Sequence, residues 1–338
     1  MLDVFNNDAF SVVALTDAIN KPKFVPGRLG QLGLFRETPV AVTTVVLEEK
    51  DGTIVLVPPT PRGGPGTTMD KPKRGARAVV IPHFEIDDAV MAAEVQNVRP
   101  FGQETGLETV QTVIAERLVS HRGSHEATLE YARVGAVTGV ITYADGTTLD
   151  LFNLFGVAQE AEVDFDLDNA NPASGALAKK CNGVIRLMGT NLGGIPFSGA
   201  RALCGDAFFD DLRAHPEVRA TYLNTPQAEQ LRQAQLAGDG MIYGFLDFGG
   251  ILWENYRGSV GATTFVNTDK CHIFPNAPGL FRTYFGPADY VETVNTLGQR
   301  MYAKQYPMDN DKGVNLDTQM NALNLCTRPK SLIKGKRT

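Results

Sequence analysis

Cysteine and tryptophan are scarce in this 338-residue chain, which has four of the first and one of the second. Cys181, Cys204, Cys271 and Cys326 are too few and too scattered for a disulfide scaffold or a zinc ribbon, so a reducing compartment fits best. No stretch approaches the roughly 20 apolar residues of a bilayer-spanning helix, which excludes an integral membrane protein of the helical kind. The opening Met1-Leu2-Asp3-Val4-Phe5-Asn6-Asn7-Asp8 puts acids where a secretory signal needs basic residues, so secretion is not expected. Basic charge is also in deficit: the net charge is -6 and the pI near 5.5, which argues against a dedicated nucleic-acid binder. What is present is enough apolar side chain, 43% against 21% charged, to pack an interior, in a length that suggests two domains.

Signatures of chemistry fail one by one. Gly189-Thr190-Asn191-Leu192-Gly193-Gly194 lacks the Lys-Ser/Thr of a phosphate loop and the spacing of a dinucleotide fingerprint, and reads as a turn. Neither Ser198, after Pro196-Phe197, nor Ser259, after Arg257-Gly258, sits in the Gly-x-Ser-x-Gly elbow of a hydrolase. His121 and His125 have the spacing of zinc peptidases, but Arg122 stands where those enzymes place glutamate, and two solvated histidines are expected. Asp164, Asp166 and Asp168 begin like a calcium loop, yet Asn169 and Gly175 occupy its obligatory glycine and glutamate places; an acidic strand face is the better reading. Cys271 and His272 are adjacent and point oppositely in an extended chain. No catalytic, metal or cofactor site is assigned.

The organisation is more informative. An arm with Ala9, Val12, Val13 and Ile19 near helical spacing ends in Pro22, Pro26 and three glycines up to Gly33. Val40–Leu47 and Thr53–Val57 flank Asp51-Gly52, a hairpin signature. Pro58 to Ala78 then holds five prolines and four glycines, with Arg62, Lys71, Lys73, Arg74 and Arg77 against the single Asp70. No core forms from such a stretch, and ordering it costs roughly 1–2 kcal/mol per residue, so an outside partner must hold it; a neighbouring subunit is the natural one. A strand Ala78–Ile86, a long helix over about Thr105–Arg133 with a break at Gly123, and a hairpin turning at Asp145-Gly146 follow. The second half is mixed: a helix over Ala207–Ala214 capped by Asp206, an interruption at Pro216, a helix over Gln227–Ala237, a strand Gly244–Trp253 with a glycine break, and β runs over Tyr290–Val294 and Val314–Leu325. The tail from Arg328 to Thr338, basic throughout, is expected to be a mobile end.

A series of blocks carries a resemblance. They include Leu56-Val57-Pro58-Pro59-Thr60-Pro61-Arg62-Gly63, Ile81-Pro82-His83, Arg99-Pro100-Phe101-Gly102, Cys204-Gly205-Asp206-Ala207-Phe208-Phe209, Gly249-Gly250-Ile251 with Trp253-Glu254, Pro287-Ala288-Asp289-Tyr290, Lys312-Gly313-Val314 and Arg328-Pro329. In order and spacing the chain resembles the major capsid (head) proteins of tailed phages in the lambda-like E family. The resemblance implies an α+β, Hong Kong-type capsid fold: N-terminal arm (1–37), extended loop (38–85), peripheral domain with a spine helix (86–155), axial domain (156–285) and peripheral return strands with the tail (286–338). It implies a non-enzymatic subunit that self-assembles into hexamers and pentamers around packaged double-stranded DNA. Portal and scaffold proteins, a decoration protein and non-specific DNA contact come with it, in a virion assembled in the host cytoplasm. Arg62, Lys71, Lys73, Arg74 and Arg77 are the expected inter-subunit contacts. Lysine crosslinking is not expected, since nothing near Lys50, Lys71 or Lys73 marks a catalytic glutamate. An encapsulin-like nanocompartment is the first alternative, and an α/β hydrolase or metalloenzyme the second.

Overall fold

The computed structural model describes residues 27–50, 74–96, 109–169, 171–223, 244–260 and 263–338. The first lobe is built from α1 (Arg28–Gln31), β1 (Phe35–Pro39), β2 (Thr44–Lys50), β3 (Arg74–Val80), β4 (His83–Met91), α2 (Ala92–Val95), α3 (Val110–Thr138), β5 (Val140–Thr142) and β6 (Thr148–Asp150). Helix α4 (Leu151–Phe155) still packs on β5 and β6 of the first lobe. The second contains β7 (Val163–Asp164), α5 (Ala176–Leu192), β8 (Ala200–Cys204), α6 (Asp206–Ala214), α7 (Pro216–Leu223), β9 (Phe245–Phe248), β10 (Ile251–Asn255), β11 (Ser259–Val260), β12 (Thr263–Thr264) and β13 (Lys270–Pro275). The chain then returns through β14 (Phe281–Phe285), β15 (Tyr302–Pro307) and β16 (Gly313–Cys326) and ends in β17 (Ile333–Lys336).

The alternation of Val314, Leu316, Thr318 and Met320 becomes β16, 14 residues long. In its first half only the alternate residues are buried; from Thr318 onward both faces are. It pairs antiparallel with β4, β15 and β14, and β1 joins parallel to β14, giving a five-stranded sheet. Across this sheet lies α3, 29 residues and so about 43 Å long at 1.5 Å per residue. Thr109 caps its start by accepting from the Thr112 N–H at 3.2 Å, and Gly139, at φ +90°, ends it. The helix continues through Gly123 without a break. Its buried stripe, Ile114, Leu118, His121, His125, Leu129, Ala132 and Ala136, keeps strict i, i+3/i+4 spacing. Gly135 is needed where the helix meets β5, because a Cβ there would lie 2.7 Å from the Ile141 Cα.

The second lobe is a six-stranded sheet in the order β7-β17-β13-β8-β10-β9. Its core holds the single tryptophan: Trp253 stands edge-on to Phe165, with ring centroids 5.4 Å apart, and its Nε1 donates to the Phe248 carbonyl at 3.1 Å. Gly249 and Gly250, at φ +64° and +75°, form the tight turn between β9 and β10, so the glycine break expected within Gly244–Trp253 is the turn of a hairpin.

Several other expectations are corrected. Pro82, with no N–H to donate, divides the strand expected over Ala78–Ile86: β3 pairs with β2, whereas β4 joins the main sheet. Asp206 is the first helical residue of α6, with Gly205 in the cap position. The run Tyr290–Val294 is a 3₁₀ turn over Val291–Thr293. The basic tail is no mobile end: Leu332 and Ile333 are buried, and β17 is hydrogen-bonded between β13 and β7 in the second lobe's sheet. The acidic face at Asp164, Asp166 and Asp168 is only a two-residue strand, broken at Asp166, whose φ is +55°. Gly189 and Leu192 belong to the last turns of α5, leaving Gly193 and Gly194 as its end. The pairing of Lys50 with Arg74 makes β3 the partner of β2 among the described residues. The run Thr53–Val57 and the helix expected over Gln227–Ala237 lie outside them.

The histidines expected in solvent are buried under the sheet. His121 meets Asp88 Oδ2 and Thr318 Oγ1, each at 3.2 Å, and His125 Nε2 is 3.3 Å from the Thr318 carbonyl. Burial pushes the His125 imidazole down from 6.5 to about 4, against the favourable Thr318 bond. The unfolded chain therefore binds this proton more tightly than the folded one. The stabilisation is complete above about pH 6.5 and is lost as pH falls through about 4, in all on the order of 3 kcal/mol at about 1.4 kcal/mol per unit. Urea unfolding of the unassembled subunit between about pH 7 and pH 4.5 is expected to show a loss that His125→Gln reduces without abolishing, since His272 is depressed to about the same value; equal losses in both proteins contradict the assignment.

Candidate assembly surface

Where the arm enters the fold, four parts of the chain meet in one ionic network on the C-terminal half of α3. Gly27 passes over the Glu130 side chain so closely that a Cβ would collide with it. The Glu130 carboxylate accepts from the Leu29 N–H at 2.7 Å and from the Tyr256 hydroxyl at 3.0 Å. One residue earlier, Arg28 bonds the buried Glu254 of β10 and covers the Phe245 ring at 4.9 Å. One turn along α3, the buried Arg133 bonds Glu37 of β1 at 2.6 Å and lies 5.2 Å over the Phe35 ring. Arg300, from the segment before β15, bridges Glu37 and Glu126. Burial raises the carboxyls of both Glu130 and Glu254, and the bonds to Leu29 and Tyr256, or to Arg28, oppose it. These two acids thus favour the fold below their unfolded pKa and weaken that support as pH rises through the raised value. The network positions the arm and is not a reservoir of net stability.

The second feature is the ribbon β2–β3. Val45 and Val79, directly paired, turn inward and are buried. The opposite face carries Val46, 58% exposed, and Val80, 68% exposed, beside Val42 at 53%. A two-stranded ribbon is marginal on its own, and an aliphatic outer face is not the surface of a finished monomer. The ribbon's far end, at the Lys50–Arg74 pair, leads into residues 51–73.

Of the expected contact residues, Arg62, Lys71 and Lys73 lie outside the described residues, and Arg74 is placed by its backbone at the end of β3. Arg77 donates from Nη1 to the Leu154 carbonyl of the same chain and packs beside Gly156, which ties the ribbon's base to α4. The residues that fix the arm, Arg28, Glu37, Glu130, Arg133 and Glu254, escaped the reading of the sequence. They are single charged residues in otherwise ordinary elements, and only the fold brings them together.

Cys271 is fully buried opposite Cys204, its thiol pushed up by burial and by that neighbour; burial and Lys334 push the His272 imidazole down to about 4. Glu85, Asp87 and Asp317 bring carboxylate oxygens within 4.8 Å of one another on the outer face of the main sheet. Gln319 Nε2 spans two of them, at 3.2 Å from Glu85 and 3.4 Å from Asp317.

The family model for phage major capsid protein E matches residues 11–337. This chain belongs to that family. The major capsid proteins of Pseudomonas phage KPP10 and Salmonella phage Felix O1 are 27% and 28% identical to it, over 97% and 98% of both chains. The fold is shared with a prophage capsid protein from E. coli CFT073, at a TM-score of 0.58 and 12% identity over 97% of this chain and 99% of that one. It is also shared with the mature capsid of bacteriophage PhiM1, at 0.50 and 13% over 90% and 85%. The protein is a major capsid protein, a structural, shell-forming subunit of the phage head with the Hong Kong-type fold. The nanocompartment, hydrolase and metalloenzyme readings are not favoured.

The network gives a test. Glu130→Ala leaves the Leu29 N–H and Tyr256 hydroxyl without their acceptor and is expected to cost about 2–6 kcal/mol, at roughly 1–3 kcal/mol per stranded group. Glu130→Gln keeps an acceptor and is expected to cost under about 1 kcal/mol near neutral pH, since it also removes a buried charge. Thermal unfolding of the unassembled subunits compares the two; equal losses contradict the role given to the carboxylate.

Proposed function

We propose that copies of this chain gather into hexamers and pentamers that close an icosahedral shell around packaged double-stranded DNA, with no catalytic step of the subunit's own. The observation that carries the reading is the ribbon β2–β3, one face seated on its own core and the other aliphatic and open. A neighbour's surface supplies the apolar area that covers it. Contacts of this kind between unlike surfaces of identical copies close into rings.

In this reading residues 1–37 are the arm, 38–85 the extended loop with its ribbon, 86–155 the peripheral domain with α3 as spine helix, and 156–285 the axial domain. Residues 286–338 form the return, whose final strand β17 serves the axial sheet. Arg62, Lys71, Lys73 and Arg74 reach carboxylates of the neighbouring copy, while Arg77 anchors the loop's base through Leu154. Portal and scaffold proteins join the shell during assembly in the host cytoplasm. A decoration protein on the outside and non-specific contact with DNA on the inside complete the partners.

Because Lys50 and Arg74 are paired, an Asn-Gly turn can replace residues 51–73 and close the ribbon directly. The shortened subunit is expected to stay soluble and folded yet form no closed shells by negative-stain microscopy and sedimentation, where the parent chain gives megadalton polyhedra or capsomer rings. Normal particles from the shortened chain refute the role assigned to the loop.

A further inference from the structure

Three of the cysteines, Cys181 of α5, Cys204 of β8 and Cys271 of β13, are buried as free thiols in one core, while Cys326 packs in a separate core with Phe281 and Leu325. Cys204 and Cys271 stand directly opposite each other across the antiparallel β8–β13 pair. The register decides how close they come. The Cys204 carbonyl accepts from the Tyr256 N–H at 2.9 Å, on the β10 side, whereas the next residue, Gly205, donates its N–H to the Lys270 carbonyl at 3.0 Å, on the β13 side. Backbone groups alternate sides along a strand, so Cys204 and Cys271 form a pair without mutual backbone bonds. That is the narrower of the two antiparallel classes, with Cα atoms about 4.5 Å apart, and a disulfide spans Cα separations of about 4.4–6.8 Å.

The side chains are placed to match. Paired residues point to the same face of a sheet, and the Cys204 and Cys271 thiols already share a hydrogen bond. Gly335 of β17 makes room for Cys271, because a Cβ there would lie 2.6 Å from its Sγ. Cys181 is turned elsewhere: it packs on the turn between β9 and β10, where a Cβ on Gly249 would lie 2.9 Å from its Sγ. Burial holds the Cys271 thiol well above its ordinary value, so little of the reacting thiolate exists near neutral pH. The pair therefore stays reduced in a reducing medium and reacts slowly afterwards, through local openings of the lobe.

We propose that Cys204 and Cys271 are a latent disulfide that closes once the folded protein meets dissolved oxygen away from cellular reductants. Each thiol gives up one proton and one electron, the sulfur–sulfur bond forms, and dioxygen takes both protons and both electrons as hydrogen peroxide. The bond links two central strands of the second lobe and closes the stretch 205–270, which restricts the unfolded chain. It lies within one subunit and does not depend on shell formation, so the two readings can fail separately.

Peptide mass spectrometry of the folded full-length protein provides the test. Protein purified under reductant is moved to air-saturated buffer with copper–phenanthroline as catalyst, then unfolded in mildly acidic urea with excess N-ethylmaleimide and digested. Before oxidation Cys181, Cys204, Cys271 and Cys326 are all expected as maleimide adducts. Afterwards most chains are expected to yield a linked Cys204–Cys271 peptide, two hydrogens lighter than its separate halves, with Cys181 and Cys326 still recovered as adducts; Cys181→Ser is expected to give the same link. Four maleimide adducts after oxidation overturn the proposal, as do links that involve Cys181 or Cys326 as often as this pair.

Discussion

The buried carboxylate of Glu130 is the point on which the placement of the arm depends. It takes the Leu29 N–H and the Tyr256 hydroxyl, so one side chain on α3 fixes both the entering arm and the segment leaving β10. Arg133, one turn away, repeats the arrangement with Glu37 and Phe35. A purely apolar contact at this corner would hold the pieces together without setting their register. Directed bonds to buried charges set it, and removing one partner is costly because the other is left stranded. A subunit whose appendages must leave the body in a fixed direction has a use for such a corner.

From that corner the rest follows mechanically. The helix α3 and strand β16 run along each other through the first lobe, and His121 and His125 join the stripe between them by bonding Thr318. The six-stranded sheet packs its own aromatic centre around Trp253 and takes the last strand, β17, from the chain terminus. With both bodies self-contained, the ribbon β2–β3 remains with an aliphatic face that neither body covers. That open face is consistent with a structural protein whose ligand is another copy of itself.

How much of this the sequence revealed varies with the physical signal. The period-2 pattern of Val314–Met320 and the Asp145-Gly146 turn are local, and both strands and turn are where the pattern puts them. The spine helix was legible in kind but misplaced at its ends, running Val110–Thr138 where Thr105–Arg133 was expected. Two polar histidines in its buried stripe, with Gly123 between them, imitate a break; only the Thr318 partner, nearly 200 positions away, reveals that they face inward. The basic tail misled for a related reason. Lys334 and Lys336 alternate with buried Ile333 and Gly335, and their ammonium groups pair with Glu162 and Asp164, so a charged run is an amphipathic strand. Helix α5 went unread because its Gly183 and Gly189 and the polar Lys179-Lys180 weaken a stripe formed by Leu177, Cys181, Val184 and Met188. The arm's ionic corner could not be read at all, since it joins residues from 96 to 263 positions apart. Family resemblance supplied the architecture that local signals left open.

The most direct measurement is hydrogen exchange compared between isolated subunits and assembled particles, with the amides of α3 as the internal reference. The account predicts that amides of β2 and β3 exchange readily in the isolated subunit, where the ribbon's outer face is open, and become strongly protected in particles while α3 changes little. Equal protection of the ribbon in both states, or a product that stays monomeric at high concentration with the ribbon already protected, contradicts the claim that a neighbouring copy completes this fold.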